Sequence, residues 1–571
     1  MILQELVRYY DRKLEEDGDS LPLLGFERKE IPFIIVLDQS GNFVDLEDTR
    51  SGEGRKKRSR VFTVPQAVKR ARNVEANLLW DNAGYVLGIS EEKRKQIFIE
   101  KIETYFPDQS RDNSIQAVLD FLKRGDFEVV FSHPLWAEIK DLGGNISFRI
   151  AGETELICEK KVVKEVVQHN NSENSEEKQW CLISGQKNHI AILHPAIKGV
   201  RNANSSGANI ISFNLDAFRS FGKEQGLNSP IGTKPVFAYT TALNHLLGKD
   251  SRQKMQVGDA STIFWAEKMD QMENVFADLF GWQKGDSPDR HTEAVRALYA
   301  APSTGAPPLD EDQTRFFILG LSPNAARIAV RFWHATTVGK LAGHIRQHFD
   351  DLLMIHGDRD LDSISLYRLL CSIAAQGKSE NIPPNLAGDT MKSILQGTPY
   401  PQTLLQGAIR RIKAEREVTY PRAALIKALL VRNHRYYKKT EKEVSMSLDE
   451  NNLNLGYQVG RLFAVLEKIQ EEANPGINAT IRDRFYASAS ATPATAFPLL
   501  MKLKNHHLAK MENRGRVVNM ERLLGQIIGS FQEFPARMDL SDQGRFAVGY
   551  YHQRQAFFQK KETNDNKGEQ S

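Results

Sequence analysis

Hydrophobic and polar residues follow two different patterns along this chain. Between about residues 30 and 250, short apolar runs alternate with turn-forming Gly, Asn and Ser residues, which is typical of strands in a mixed α/β region. The predicted strands are 32–37, 61–64, 85–89, 128–132, 146–150, 156–167 and 210–214. Before them, apolar residues recur at helical spacing from Ile2 to Tyr10, which predicts an amphipathic helix and not a signal peptide.

After about residue 320, apolar residues recur every three or four positions, which predicts helices. These helices are 325–349, 363–375, 401–414, 420–431, 454–472 and 519–528. The two patterns together predict an α+β fold, with a mixed α/β N-terminal region followed by an all-helical region ending in a C-terminal helical bundle. The predicted domains are 1–250, 251–445 and 446–571.

Composition places the chain among ordinary globular proteins. Its 571 residues are 41% hydrophobic and 26% charged, with a formal net charge of +4, which excludes wholly disordered and collagen-like proteins. The three cysteines are widely spaced and form no CxxC, so neither a disulfide framework nor a standard structural zinc site is expected. Since no apolar run is long enough for a membrane span, we expect a cytoplasmic protein with no membrane partner.

Charged residues are unevenly distributed along the sequence. The segment 50–72 contains nine basic residues and one acidic residue, Glu53. Such a block concentrates positive potential and suits a polyphosphate partner, although a solvated loop that maintains solubility would have the same composition.

No motif indicates catalysis. Gly377-Lys378-Ser379 resembles the end of a P-loop, but Ser372 stands where the earlier glycine is required. The sequence contains no HExxH and no GxSxG motif. We therefore expect no catalytic residue, metal or cofactor. The alternative is a metal-dependent nuclease or hydrolase whose active site has no sequence signal.

Three segments contain residues suited to nucleic acid. In the first, a basic cluster precedes Asn77, Trp80 and Asn82, where cations suit phosphates and amides suit base edges. A strand and turn with Trp80 in the core would explain the same residues. The second is the cationic loop 198–207, rich in Gly, Ser and Asn, which is also compatible with an ordinary connection.

The third segment is 319–331. Ser322 is predicted to cap a helix on which Asn324, Arg327 and Arg331 share one face, so that the helix N-terminus and the arginines hold phosphate. The alternative is that Arg331 pairs with an acidic residue of the same chain.

Long strings of this sequence resemble the large subunit of the type I-C CRISPR Cascade complex. They include MILQELVRYYDR, GFERKEIPFIIVLDQSG, KGVRNANSSGANIISFNLDAFRSFGKEQGLNSP, FILGLSPNAARIAVRFWH and EREVTYPRAALIKALL, and they span nearly the whole chain. The resemblance implies a non-enzymatic subunit of an RNA-guided antiviral complex. Such a subunit recognises the protospacer-adjacent motif in double-stranded DNA, promotes duplex opening, stabilises the R-loop and recruits the helicase-nuclease.

The resemblance also implies partners and gives the candidate residues their roles. The implied partners are the guide RNA, the backbone, crRNA-processing and small subunits, the target DNA and the helicase-nuclease. The residues predicted to read the motif are Asn77, Asn82, Asn145, Asn202 and Asn204. Those predicted to bind the DNA backbone are Lys56, Lys57, Arg58, Arg60, Lys69, Arg70, Arg72, Lys198, Arg201, Ser205 and Ser206.

In the family, the C-terminal region resembles the Cascade small subunit and can be produced separately from an internal start. Met446 is well placed to be that start. The residues predicted to line a groove for the displaced DNA strand are Arg482, Arg484, Lys502, Lys504 and Lys510. An ordinary solvated surface of a helical bundle would carry the same cations.

Overall fold

The computed structural model describes residues 2–17, 21–52, 57–68, 74–89, 91–107, 112–173, 178–280, 293–295, 298–299, 312–439 and 443–558. The chain divides into two compact units. The first comprises Met1–Ile197 and Asn209–His245, and the second comprises Lys198–Ala208 and Leu246–Ser571. The division into three domains stays a prediction. Within the described ranges, no helix has both the length and the apolar character needed to cross a membrane.

The first unit combines short strands and helices, as predicted. Its strands are β1 (Phe26–Glu30), β2 (Phe33–Leu37), β3 (Phe43–Asp48), β4 (Val61–Pro65), β5 (Trp80–Asn82), β6 (Asn145–Ile150), β7 (Lys178–Trp180) and β8 (Lys187–His189). Its helices are α1 (Ile2–Glu16), α2 (Ala83–Val86), α3 (Glu92–Tyr105), α4 (Asn113–Arg124), α5 (Glu128–Phe131), α6 (Trp136–Leu142), α7 (Lys161–Glu173) and α8 (Thr233–Leu246), the last of which reaches the unit boundary.

A four-stranded sheet with the order β3-β2-β6-β5 forms the centre of the first unit. β2 and β6 are parallel, whereas β3 and β5 are antiparallel to their neighbours. All of β2 is buried, which explains why its sequence is a continuous apolar run. The ring of Phe148 in β6 lies 6.4 Å, between centroids, from Phe98 of α3 and from Phe121 of α4, so these helices pack on the sheet.

Several predicted strands of the first unit are wrong. Residues 85–89 overlap α2, residues 128–132 contain α5, and residues 156–167 run into α7, while 210–214 is irregular. In α7, Val163 and Val167 are both buried and lie four residues apart. That spacing places them on one helical face, so burial against the core overrides the strand preference of β-branched residues.

The second unit contains one sheet followed by helices. Its strands are β9 (Lys254–Val257), β10 (Ala260–Ala266), β11 (Arg315–Asn324) and β12 (Arg327–Thr337). Its helices are α9 (Met272–Phe280), α10 (Val338–Leu352), α11 (Leu366–Ile373), α12 (Pro384–Gln396), α13 (Gln402–Glu415), α14 (Tyr420–Tyr436), α15 (Leu455–Ala473), α16 (Ile481–Ala491), α17 (Pro493–Lys510), α18 (Arg514–Ile528) and α19 (Leu540–Ala556). The α+β prediction is confirmed.

The predicted helix 325–349 is wrong over its first half. β11 and β12 form an antiparallel hairpin in the sheet β12-β11-β10-β9, and Ser322 lies in a strand instead of capping a helix. The helix begins only at Val338, where the Thr337 hydroxyl accepts the backbone N–H of Lys340. The run 316–321 is buried throughout, as a central strand requires, whereas a surface helix would bury one face.

Glycines allow α15 and α19 to pack closely. A Cβ on Gly460 would lie 2.1 Å from the carbonyl oxygen of Phe546, so only glycine fits there. The apolar core of this unit runs from Met255 to Tyr551 in sequence. Helices on both sides of the predicted boundary at Met446 therefore contribute to one core.

Candidate nucleic-acid interface

Asn82 and Asn145 are paired at the end of β5 and β6. The Asn82 Oδ1 accepts the backbone N–H groups of Gly84 (3.0 Å) and Tyr85 (3.4 Å) and so caps α2. The Asn145 Nδ2 donates to the carbonyl oxygen of Glu30 at 3.2 Å. The structure therefore brings two of the predicted motif-reading amides together, each with one polar atom used to hold the backbone.

The peptide group between Glu30 and Ile31 connects Asn145 to the backbone of Arg60. The carbonyl oxygen of Arg60 accepts the N–H of Ile31 at 3.1 Å, next to the Glu30 that Asn145 contacts. The guanidinium of Arg60 lies 5.1 Å from the centroid of the Phe62 ring, and Arg60 is exposed. A predicted backbone-binding arginine and two predicted base-reading amides thus occupy one region of the first unit.

The neighbouring basic residues differ in how far their charge is neutralised. The Lys57 Nζ lies 3.6 Å from the Asp48 carboxylate and 3.9 Å from that of Glu138. Arg58 is exposed and exchanges two backbone hydrogen bonds of 2.9 Å with Ser51. Arg58 is therefore better placed than Lys57 to meet a phosphate. Lys56, Lys69, Arg70 and Arg72 lie outside the described residues.

Asn77 and Trp80 are both buried. The Asn77 Oδ1 accepts the N–H of Val68 at 3.0 Å, and the Trp80 indole donates to the Pro65 carbonyl oxygen at 2.8 Å. The core interpretation of Trp80 is therefore confirmed. The Asn77 side chain thus links its own position to Val68, on the other side of the basic segment 69–73 in sequence. Its role in base reading stays a prediction.

Asp81 holds the turn between these residues. Its carboxylate is 1% exposed and accepts the backbone N–H groups of Asn77 (2.9 Å) and Asn82 (2.8 Å). A buried carboxylate that lacks such donors would carry a large desolvation penalty. Asp81 thus fixes the backbone position of Asn82.

The loop 198–207 presents its candidate residues to solvent. Exposed side chains in it are Lys198, Arg201, Asn202, Asn204, Ser205 and Ser206. Asn202 adopts a left-handed backbone conformation, with φ of 62°, which asparagine tolerates. The Lys254 ammonium donates to the carbonyl oxygens of Gly199 (2.8 Å) and Leu247 (2.9 Å), which anchors the start of the loop. Burial lowers the pKa of Lys254.

The same loop is tied to the sheet of the second unit. The backbone N–H of Arg201 donates to the Ser261 Oγ at 2.9 Å. Ser261 pairs with Leu321, three residues before the end of β11 at Asn324. The loop and the β11–β12 turn therefore lie at the same end of this sheet.

The third candidate segment does not have the predicted geometry. Asn324 pairs with Arg327 across the β11–β12 turn, so these residues do not share a helical face. The Arg331 guanidinium pairs with the Asp259 carboxylate at 2.9 Å, as the alternative interpretation predicted. No helix N-terminus is present here, because the alternating register of a hairpin replaces the helical spacing.

The five C-terminal cations do not form one uniform surface. Arg484, Lys502 and Lys510 are exposed, and Lys504 is half-buried. The side chain of Arg482 is 32% exposed, and its Nε lies 3.7 Å from the carboxylate of Glu467. Arg482 therefore has a structural partner.

Glu467 is the centre of a buried polar network in the second unit. It is fully buried and accepts hydrogen bonds from the hydroxyls of Tyr550 (2.5 Å) and Thr480 (2.6 Å). Burial and the nearby Glu467 charge raise the pKa of Tyr550 well above its usual value. The Arg554 guanidinium lies 3.6 Å from the same carboxylate. This network joins α15, α16 and α19 and explains the inward position of Arg482.

Sequence reasoning missed Phe221, whose side chain is 98% exposed. It lies in a tight turn in which Ser220 and Lys223 are bridged, and its φ of 51° is unusual for a bulky residue. The sequence could have indicated Phe221, because an aromatic residue next to Gly222 in a polar segment is typical of a turn.

Within the described residues, no group of three or more His, Cys, Asp or Glu side chains is arranged to hold a metal ion. Cys158 and Cys181 are buried, Cys371 is half-buried, and all three are free thiols.

Comparison with known protein families identifies the family to which the chain belongs. A family model described as CRISPR-associated protein (Cas_Csd1) matches residues 6–558, which is nearly the whole sequence. The chain belongs to this family. Comparison with the curated proteins gives no match. The Cas_Csd1 membership implies a CRISPR-associated, Cascade-type subunit and confirms the resemblance at that level.

Proposed function

We propose that this Cas_Csd1 protein is the large subunit of a type I-C Cascade complex, that it recognises the protospacer-adjacent motif in double-stranded DNA, and that it promotes duplex opening. The observation that carries the proposal is the pairing of Asn82 with Asn145, in the same unit as the exposed Arg60. Amide side chains read base edges, and a neighbouring guanidinium binds the phosphate backbone.

The two amides have complementary chemistry. The Asn82 Oδ1 and the Asn145 Nδ2 hold the backbone, and their other amide atoms make no hydrogen bond within the part of the chain that the structure describes. A donor on Asn82 and an acceptor on Asn145 therefore remain for a ligand. One donor and one acceptor at neighbouring positions match the edge of a base pair.

Stabilisation of the R-loop is assigned to exposed cations elsewhere. Exchange of a DNA duplex for an RNA–DNA duplex is close to balanced energetically, so protein contacts to the strands decide its outcome. The loop 198–207 supplies Lys198, Arg201 and hydroxyl groups for phosphates. Arg484, Lys502 and Lys510, with the less exposed Lys504, supply charge for the displaced strand, whereas Arg482 pairs with Glu467.

The partners follow from the same proposal. The subunit assembles with guide RNA and with the backbone, crRNA-processing and small subunits, binds target DNA in the cytoplasm, and provides a surface for the helicase-nuclease. The C-terminal segment 446–571 is the part that corresponds to a small subunit. No cofactor is assigned to the chain.

The deciding experiment compares complexes assembled with and without this chain. Binding is measured at fixed salt to target duplexes in which the adjacent motif is scanned base by base, because salt alone changes affinity strongly. The proposal predicts that tight binding requires both the chain and one motif. Equal binding without the chain, or with every flanking sequence, would assign motif reading to another subunit.

We also propose that the chain itself is not catalytic. The purified full chain is incubated with single-stranded and double-stranded DNA in Mg²⁺ and in Mn²⁺. Unchanged DNA is expected in both. Cleavage that copurifies with the chain and disappears on chelation would instead support the metal-dependent nuclease.

A further inference from the structure

The first unit contains a cavity of about 170 Å³ to which no role has been given. The residues that line it include His194, Asn209, Ser212, Phe213, Asn214 and Gln225. None of its lining residues is an Asp, Glu, Lys or Arg. Ile192, Leu193 and Ile211 also line it, so the cavity is partly polar, partly apolar and without a fixed charge. That disfavours phosphate and favours a neutral ligand with hydrogen-bonding groups.

His194 lines the cavity and is held by Tyr239. The residue is 7% exposed, and its Nδ1 lies 2.5 Å from the Tyr239 hydroxyl. Its Nε2 is buried and has no hydrogen-bond partner among the described residues. Burial lowers the pKa of His194 to about 4, so the ring is neutral at pH 7. The neutral imidazole therefore adds no charge to the cavity lining.

The walls of the cavity are held in place by the backbone. The Asn209 Nδ2 donates to the carbonyl oxygens of His194 (2.9 Å) and Pro195 (3.2 Å). The N–H of Gly226 donates to the Ile192 carbonyl oxygen at 3.1 Å, and a Cβ at Gly226 would lie 2.6 Å from that oxygen. The cavity is therefore preformed, and glycine is needed for this close approach.

The loop that supplies Gln225 also carries residues suited to nucleic acid. Phe221 is 98% exposed, and Arg219 and Lys223 on either side of it are exposed as well. The Arg219 guanidinium lies 3.1 Å from the Asp216 carboxylate and 3.4 Å from that of Glu224, so its charge is already paired. The Asn228 side chain accepts the N–H of Ser220 and donates to the carbonyl oxygens of Lys223 and Gln225, which ties the loop together. A cation, here Lys223, and an exposed aromatic ring near a neutral cavity are the parts that a nucleic-acid site combines.

The volume of the cavity limits the size of the ligand. Pockets for drug-sized ligands occupy about 300–1,000 Å³, so this smaller cavity suits a single planar ring system. Amide and hydroxyl groups from Asn209, Ser212 and Gln225 can pair with the edge of such a ring, and Phe213 offers an aromatic face.

We propose that this cavity receives one unpaired nucleobase of the bound DNA, while Lys223 contacts the adjacent phosphate. The proposal rests on the proposed DNA-binding function. It assigns the chain a site that holds a base after the duplex has opened, separate from the Asn82–Asn145 pair that reads the closed duplex.

The test uses the full chain and two forked duplexes at one salt concentration. They have the same sequence, but in the second fork the unpaired nucleotides are abasic. The wild-type chain is expected to bind the base-containing fork about tenfold more tightly, the range given by stacking of one base. Ser212→Phe, which fills the cavity with a ring, is expected to bind both forks equally. Ala217→Phe adds the same ring at an exposed position of the nearby loop and is the matched control.

Each outcome separates this proposal from the one on which it rests. Equal binding of the two forks by the wild-type chain overturns the base site but leaves DNA binding intact. Failure to bind either fork overturns the proposed DNA binding of this chain and the base site with it. If Ser212→Phe does not fold, 2-aminopurine at the fork decides instead: its fluorescence changes on wild-type binding if the base enters the cavity, and no change overturns the proposal.

Discussion

Asn145 stands directly opposite Asn82, and the two form the last cross-strand pair of β5 and β6. Because Asn82 also caps α2, a simple alanine substitution would change stability and recognition together. Replacing an asparagine cap by alanine costs about 1 kcal/mol, whereas serine caps nearly as well.

Asn82→Ser should therefore separate the two effects. We expect its thermal unfolding midpoint to stay near that of the wild type, while motif preference in the assembled complex falls about tenfold, the worth of one good base contact. Asn145→Ala should also reduce preference. Motif-scanned duplex binding checks both, and an unchanged order of motifs in the two variants would refute the assignment.

The cations of the loop 198–207 should contribute to binding of DNA whatever its base sequence. Lys198→Ala and Arg201→Ala are each expected to weaken binding to all duplexes and to lower the slope of log affinity against log salt by about 1. Lys378→Ala removes a comparably exposed lysine outside the loop and serves as the control. The loop assignment fails if the slopes of the loop variants equal that of the control.

The Glu467 network should matter for stability. Removing one partner of a buried ion pair costs about 3–5 kcal/mol, and losing a hydrogen bond to a charged group about 1.5–3 kcal/mol. We expect Glu467→Ala to destabilise more than Tyr550→Phe in urea unfolding, because Arg482 and Arg554 also face this carboxylate. Glu521→Ala, at an exposed helical position, should change the free energy of unfolding by about 0.5 kcal/mol at most. Similar values for all three would contradict a structural role for the network.

Stability should fall at acidic pH because of His552. Burial, together with the nearby Lys427 charge, lowers its pKa to about 4 in the folded protein, below the usual 6.5. Between these values the unfolded state binds more protons, so stability is present above pH 6.5 and is lost as pH falls toward 4. His552 alone should contribute a loss of about 2 kcal/mol between pH 7 and pH 5.

Urea unfolding at pH 7 and pH 5 measures this loss. His552→Gln should show a smaller decrease than the wild type, because the substituted residue does not titrate. An equal decrease in both proteins would mean that other groups cause the acid sensitivity.

Met446 is predicted to be an internal start. Met446→Leu should then abolish a short polypeptide that begins at this position, and immunoblotting with a C-terminal tag would detect it. The control is Met501→Leu, a change further along the same segment, which should leave the short product intact. Recovery of the same product from Met446→Leu would rule out this start.

A separately made 446–571 segment should also need a partner. In the full chain, a Cβ on Gly544 of α19 would lie 3.0 Å from Ile426 and 3.3 Å from Leu405, which shows how closely α19 packs on earlier helices. The isolated segment would expose this apolar face to water.

The candidate site was only partly predictable from the sequence. Residue types identified Asn82, Asn145 and Arg60 as candidates, because amides and cations are the groups that bind bases and phosphates. The sequence could not show that Asn82 and Asn145 lie side by side, because this depends on the pairing of strands that are more than 60 residues apart in sequence. Contacts within the protein likewise distinguished Asn77 and Arg482 from chemically identical residues that face solvent.

The sequence by itself determined the helices at 363–375, 401–414, 420–431, 454–472 and 519–528 and the strands β2, β4 and β6, because these segments have a periodicity or an apolar run that favours one conformation. Tertiary structure alone decided α7, which contains β-branched residues in a helix, and the β11–β12 hairpin, whose apolar residues fit either period. In both cases the local pattern permits two conformations, and the one adopted is that in which neighbouring elements cover the apolar residues.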